Sequence, residues 1–210
     1  NTVKYFNEIL DNEDARLITC HIGNGASISA VKAGKCVETS MGLTPNAGLM
    51  MGTRCGDIDA TILPYIMEET GMSAKEMDTA LNKQSGLLGI SGVSSDSRDI
   101  EDGISNGDER CILAQKMYVK RIVDFIAKYY VELGGCDAII FTAGVGENSI
   151  STRMEVMEKL ACLGVKPDEE RNNVRGKEAL ISADNSKIPV YVIPTNEELM
   201  IATDTYNLAK

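Results

Sequence analysis

Residues 16–42 read RLITCHIGNGASISAVKAGKCVETSMG, and their alternation sets the front of the domain. Leu17, Thr19 and His21 fall on one face and Ile18, Cys20 and Ile22 on the other, the two-residue period of a strand. Gly23-Asn24-Gly25 and Lys32-Ala33-Gly34-Lys35 then separate two further alternating runs. Tight turns between strand-like runs fold them back antiparallel, which predicts a three-stranded meander. His21, the only histidine of the chain, stands at the end of the first strand, beside glycines that let backbone come close to whatever lies opposite.

Helical spacing follows. Asp57 is expected to cap a helix carrying Ile58, Ile62, Tyr65 and Ile66 and ending near Gly71, and Ser73 with Glu76 forms a capping box for a second. Residues 87–109 are polar and glycine-rich, and read as surface or ligand-facing structure without a core element. A long amphipathic helix is expected from about Asp108 to Leu133, with Leu113, Met117, Ile122, Phe125, Ile126, Tyr129 and Leu133 as its apolar stripe. CDAIIFTAG, residues 136–144, is a strand apolar enough to be covered on both faces. Gly144-Val145-Gly146 leads into a helix bearing Met154, Met157, Leu160 and Ala161. IPVYVIP, residues 188–194, is a last strand, running into a helix from Thr195 with Glu198 as the acid of another capping box. Residues 3–10 also have a helical pattern. The late strand-helix units imply parallel strands, so the chain reads as one α/β domain.

The formal charge of −10 over 210 residues argues against nucleic acid as a partner, because no excess of Lys and Arg is present to neutralise phosphates. It leaves room for a small anion held by backbone N–H groups and one or two arginines. Six cysteines without a C-x2-C pair, beside a single histidine, lack the ligand pattern of structural zinc and read as reduced packing residues of a cytoplasmic protein. No signal-peptide pattern and no 18-residue uncharged apolar run is present, so no membrane partner is expected.

Neither a Walker A motif nor a Rossmann fingerprint occurs. Gly144 to Asn148 joins a strand to a helix, where unpaired N–H groups can receive an anion, and Asn148 can donate to a base or ribose. Arg54, near Asp57 and Asp59, reads either as a solvated charge or as a phosphate or carboxylate clamp. Asp96, Arg98, Asp99 and Glu101 form either a polar loop or a grip on sugar hydroxyls and a base. His21 reads as a packed histidine or as a phosphate donor. Glu198 is committed to its cap, which leaves Glu197 free to approach magnesium.

The stretches 21–42, TPNAGLMMGTRCGDID (44–59), SSDSRDIE (94–101), FTAGVGENS (141–149) and IPTNEELMIATDT (193–205) resemble, in this order, the C-terminal half of the acetokinase family. That family lies in the acetate and sugar kinase, Hsp70 and actin superfamily. The resemblance implies a ribonuclease-H-like, actin-like ATPase fold, an α/β arrangement in which parallel strands extend the meander and helices cover both faces. It implies reversible phosphoryl transfer between ATP and acetate, giving acetyl phosphate and ADP, with Mg2+.

The resemblance also implies residue roles. His21, Ile22, Gly23, Asn24 and Gly25 would lie along the ATP phosphates, Asp96, Ser97 and Arg98 beside ribose and adenine, and Gly144, Val145, Gly146, Glu147 and Asn148 as a second adenosine-binding loop. Arg54 would stabilise the transferring phosphoryl group, and Glu197 would be the carboxylate associated with magnesium. The family's chains are longer: their N-terminal half supplies a metal-associated asparagine, a substrate-binding arginine, a catalytic aspartate and a second histidine, and no position here takes those roles. Residues 1–210 are therefore expected to be the C-terminal nucleotide-binding domain of a two-domain kinase, inactive without the N-terminal domain and homodimeric. A propionate or butyrate kinase, and a non-catalytic nucleotide-binding or dimerisation domain, are the alternative readings.

Overall fold

Strand β1 (Arg16–Ile22), β2 (Ala26–Lys32) and β3 (Lys35–Thr39) form the expected meander. These elements come from a computed structural model that describes residues 12–195, 202 and 205–208. The helical pattern at 3–10, Glu197 and Glu198 lie outside the described residues, as does most of the helix expected from Thr195. Leu17 stands opposite Val31 and His21 opposite Ser27, which fixes the two faces of β1 as the alternation requires. Ala33 and Gly34 both have positive φ, 51° and 73°, the conformation a two-residue hairpin turn demands.

Two later strands, β4 (Ala138–Thr142) and β6 (Val190–Val192), join parallel to β1 and to each other. Every residue of β4 is buried, as its apolar run predicted. The two-residue β5 (Ala179–Leu180), which no sequence pattern announced, pairs antiparallel with β6. The order β3-β2-β1-β4-β6-β5 is that of the ribonuclease-H-like fold with one added edge strand.

Eight α-helices are described: α1 (Ile62–Thr70), α2 (Ala74–Lys83), α3 (Gly86–Ser91), α4 (Ser97–Ser105), α5 (Glu109–Glu132), α6 (Ala143–Asn148), α7 (Ile150–Lys159) and α8 (Glu169–Asn172). The Ser73–Glu76 capping box is formed on α2. Helix α1 starts after Thr61 rather than at Asp57, because the Asp57 carboxylate accepts instead from Gly48 N at 2.7 Å. The stretch 87–109, expected to lack core elements, holds α3 and α4. They are too short to show a period, yet Leu87 and Ile100 are buried in the main core.

Helix α5 covers the face of the sheet carrying Ile18, Cys20, Ile22, Ile139 and Phe141. Asp108 caps it by accepting from Arg110 N and Cys111 N. Of the expected stripe Ile122, Ile126, Tyr129 and Leu133 are buried, joined by Cys111, Ala114 and Tyr118, whereas Leu113 is 51% and Met117 38% exposed. Selecting by bulk favoured the larger side chains, while the small Cys111 and Ala114 are what lets the helix approach its neighbours. On the opposite face Leu17, Val31, Ala138, Ile140 and Ile193 form a second, smaller cluster.

Candidate functional site

Parallel strands β1 and β4 end side by side, with His21 opposite Thr142, and the segments that leave them bound a cavity of about 450 Å³. The carboxyl ends of parallel strands are where α/β sheets offer such a crevice. Gly23 and Asn24 line it from β1, Asp96, Ser97 and Arg98 from the start of α4, and Gly144, Val145 and Asn148 from α6. These stretches are far apart in sequence, and all were expected at the site.

The turn after β1 is tight, with Gly23 N donating to Gly25 O at 3.0 Å. Asn24 is seated on the strap that follows residue 48: Gly52 N donates to Asn24 O at 3.0 Å, and a Cβ on Gly52 would stand 2.0 Å from Asn24 Oδ1 and 3.0 Å from Ser95 O. Only glycine allows that approach. Gly52→Ala is expected to push Asn24 off its seat and to weaken binding of the nucleotide that the resemblance implies by roughly tenfold, the equivalent of about 1.4 kcal/mol. Calorimetric titration of the variant checks this, and an unchanged affinity would show that Asn24 does not matter.

Arg54 stands over the same turn, its Nη1 3.1 Å from where a Cβ on Gly25 would lie. Nη1 also donates to Pro45 O at 3.2 Å, which fixes the fork. The neighbouring acids do not neutralise it: Asp57 is bonded to Gly48 N, and Asp59 Oδ1 accepts from Thr61 N and Oγ1. Among the described residues Arg54 pairs with no carboxylate. It does not line the cavity but flanks it on the Gly25 side.

At the start of α4 Asp96 has two tasks. Its carboxylate accepts from Arg98 N as the helix cap, and grips the Arg98 guanidinium through Nε and Nη2. Hydrogen bonding to Arg98 holds its pKa down at about 2. Glu101 is engaged across the cavity wall, its Oε1 accepting from Ser149 Oγ at 2.6 Å and from Ser151 Oγ at 2.5 Å. It thus ties α4 to the beginning of α7.

The glycine stretch after β4 is itself a helix, the six-residue α6, rather than a loop. It is entered through Ala143 at φ 66°. Of the N–H groups expected to receive an anion, that of Ala143 is already bonded within the chain. Glu147 Oε1 accepts from Ala143 N at 2.8 Å, so the first turn carries the chain's own carboxylate. The same oxygen accepts from Thr195 N at 2.9 Å and Thr195 Oγ1 at 3.1 Å, joining α6 to the end of the sheet. Glu147 and Gly146 are therefore absent from the cavity wall, Gly146 being buried with its carbonyl bonded to Arg153.

His21 and Ile22 also stay out of the wall. Ile22 is in the main core, and His21 is half-buried on the opposite face, level with Ser27 and Thr142. Glu197 lies outside the described residues. The wall contains residues that the sequence did not suggest. Tyr118 comes from α5, and its buried hydroxyl has no hydrogen-bond partner among the described residues. Arg175 comes from the irregular segment after α8, where no periodicity marks it.

The chain matches the acetokinase family over residues 2–203. It belongs to that family. Among acetokinases it is 56% identical over 203 residues to the acetate kinase of Finegoldia magna, an alignment covering 97% of this chain and 51% of that protein. The crystal structure of Porphyromonas gingivalis acetate kinase superimposes with a TM-score of 0.94 at 48% identity, covering 100% of this chain and 53% of that one. A propionate kinase from Francisella tularensis superimposes with a TM-score of 0.90 at 43% identity, covering 96% and 51%. This acetokinase chain spans about half the length of the curated relatives it matches. Among its described residues, no helix is long and apolar enough to cross a membrane.

Proposed function

We propose that this chain is the nucleotide-holding part of an acetate kinase, which transfers the terminal phosphoryl group reversibly between ATP and acetate to give acetyl phosphate and ADP. The observation that carries this reading is the convergence of Gly23, Asn24, Asp96, Ser97, Arg98, Gly144, Val145 and Asn148 on one cavity, with the Arg54 guanidinium, paired with no carboxylate among the described residues, just outside it over Gly25. A nucleoside fits between α4 and α6, and its phosphates then run past Gly23–Gly25 towards Arg54. An acetate oxygen attacks the terminal phosphorus in line, a new O–P bond forms, and the bond to the β-phosphate oxygen breaks to leave ADP. Arg54 offers two N–H groups to the equatorial oxygens as their charge is shared out, and such alignment and neutralisation supply most of the catalysis in phosphoryl transfer. His21, near the carboxyl end of β1, is the proposed donor to the phosphates.

Magnesium travels with the nucleotide in this reading. Magnesium prefers phosphate, water and carboxylate oxygens, and no group of three His, Cys, Asp or Glu side chains suited to a metal occurs among the described residues. Glu197 is the proposed carboxylate for it. The acetate side of the cleft, with the remaining catalytic groups, is assigned to the N-terminal domain of the family-length protein. The enzyme is proposed to be a cytoplasmic homodimer, with exposed Ile58, Ile62 and Tyr65 on and before α1 supplying apolar surface for the contact. The match to a propionate kinase keeps that substrate as a second reading, which the ratio of kcat/KM on acetate and propionate decides.

Calorimetric titration of the 210-residue chain with MgATP and MgADP tests the nucleotide site. Both are expected to bind with Kd below about 1 mM, or more than about 4 kcal/mol of binding free energy. Failure of both to bind would sink the reading.

A further inference from the structure

Arg175 reaches the cavity because its flanking backbone is held on both sides. Arg153, fully buried, donates from Nη2 to Asn172 O at 2.9 Å and Val174 O at 2.8 Å, and from Nη1 to Gly146 O at 3.0 Å. Gly176 N donates to Glu147 O at 3.2 Å. The segment is thereby fixed against α6, and Arg175 Nη1 donates to Asn148 O. The guanidinium is tethered at one nitrogen while lining the cavity, and it pairs with no carboxylate among the described residues. Arg98, by contrast, is already neutralised by Asp96.

Its position along the cavity follows from α6. The helix begins at Ala143, whose Cβ lies 3.8 Å from where a Cβ on Gly23 would stand. Five residues later, at about 1.5 Å of rise each, Asn148 is roughly 7 Å further along. Glu101 shares this far end, since it is bonded to Ser149. A nucleotide with its phosphates at Gly23–Gly25 and Arg54 therefore turns its base, not its charge, towards Arg175. A planar guanidinium held beside an aromatic heterocycle gains most by lying against its face.

We infer that Arg175 binds the base of the nucleotide, its tethered guanidinium stacking on the purine. This rests on the cavity being the nucleotide site, and the experiment separates the two ideas. The full chain and its Arg175→Ala and Arg175→Met variants are titrated with MgATP and with adenosine, after circular dichroism and thermal unfolding show that all are folded alike. Both variants are expected to weaken MgATP and adenosine by the same factor, roughly 3- to 30-fold. Methionine keeps an aliphatic stem, so a matching loss in both variants assigns the effect to the guanidinium. Weakening of MgATP alone would make Arg175 a phosphate contact and overturn the inference. Unchanged binding of both ligands would overturn it while leaving the cavity as the nucleotide site. If the unaltered chain bound neither ligand, the site and the inference would fall together.

Discussion

Arg54→Ala is expected to lower kcat of the family-length enzyme by about 10³-fold or more while leaving the Kd of this chain for MgADP within about threefold. The split follows from where the side chain stands. The cavity proposed for the nucleoside is walled by Asp96–Arg98 and residues of α6, and Arg54 is not part of that wall. Its guanidinium lies past Gly25, with no carboxylate to neutralise it among the described residues. Its charge is therefore kept for oxygens that arrive with the transferring group, and MgADP has already lost that group. Arg54→Lys restores the charge without the planar fork and should recover only part of the rate. A coupled assay of turnover beside calorimetry on the chain measures both halves of the claim. A rate loss below tenfold, or a collapse of MgADP binding equal to the loss in rate, would count against it.

The meander was legible because every step of it is local: strand alternation and two short turns lie within residues 16–39. The polar stretch 87–109 was not, because α3 and α4 span only 6 and 9 residues and bury little apolar surface each. Windows that short carry no reliable period. Helix α5 was found by length and its inward face partly misjudged by bulk. The site shows the same division. Gly23, Asn24, Asp96–Arg98 and Asn148 sit in motifs whose residue types advertise an anion or a sugar, and they line the cavity. Glu147 sits in such a motif too, yet its carboxylate closes on Ala143 N and Thr195, a contact between segments that no local pattern encodes. Arg175 is the converse case. Its place depends on Arg153, more than twenty residues earlier, and on carbonyls that any sequence would present.

Arg153→Met is expected to destabilise the fold by about 3–5 kcal/mol, the range for removing one partner from a buried charged network. Surface ion pairs offer the contrast: Arg16 and Asp137 are bonded at 2.7 Å but remain about a third exposed, and losing such a pair costs about 1 kcal/mol or less. Arg153 is fully buried and pairs with no carboxylate among the described residues; its charge is met by the carbonyls of Gly146, Asn172 and Val174 and by Asn172 Oδ1. Burial, with the charge of Arg175 nearby, pushes its pKa down to about 10, so it remains protonated at neutral pH. Methionine fills much of the volume but leaves those oxygens buried without donors, and each orphaned acceptor costs on the order of 1 kcal/mol or more. Lysine is no remedy, since one ammonium cannot reach carbonyls fanned around a planar fork. Because the same bonds hold α6 and the Arg175 segment together, MgATP binding should fail in Arg153→Met even under conditions where the protein is still mostly folded. Urea unfolding at pH 7 measures the first effect and calorimetry at low temperature the second. A loss of stability below about 1.5 kcal/mol, within the range of an ordinary substitution, would mean that water or a rearranged segment replaces the guanidinium.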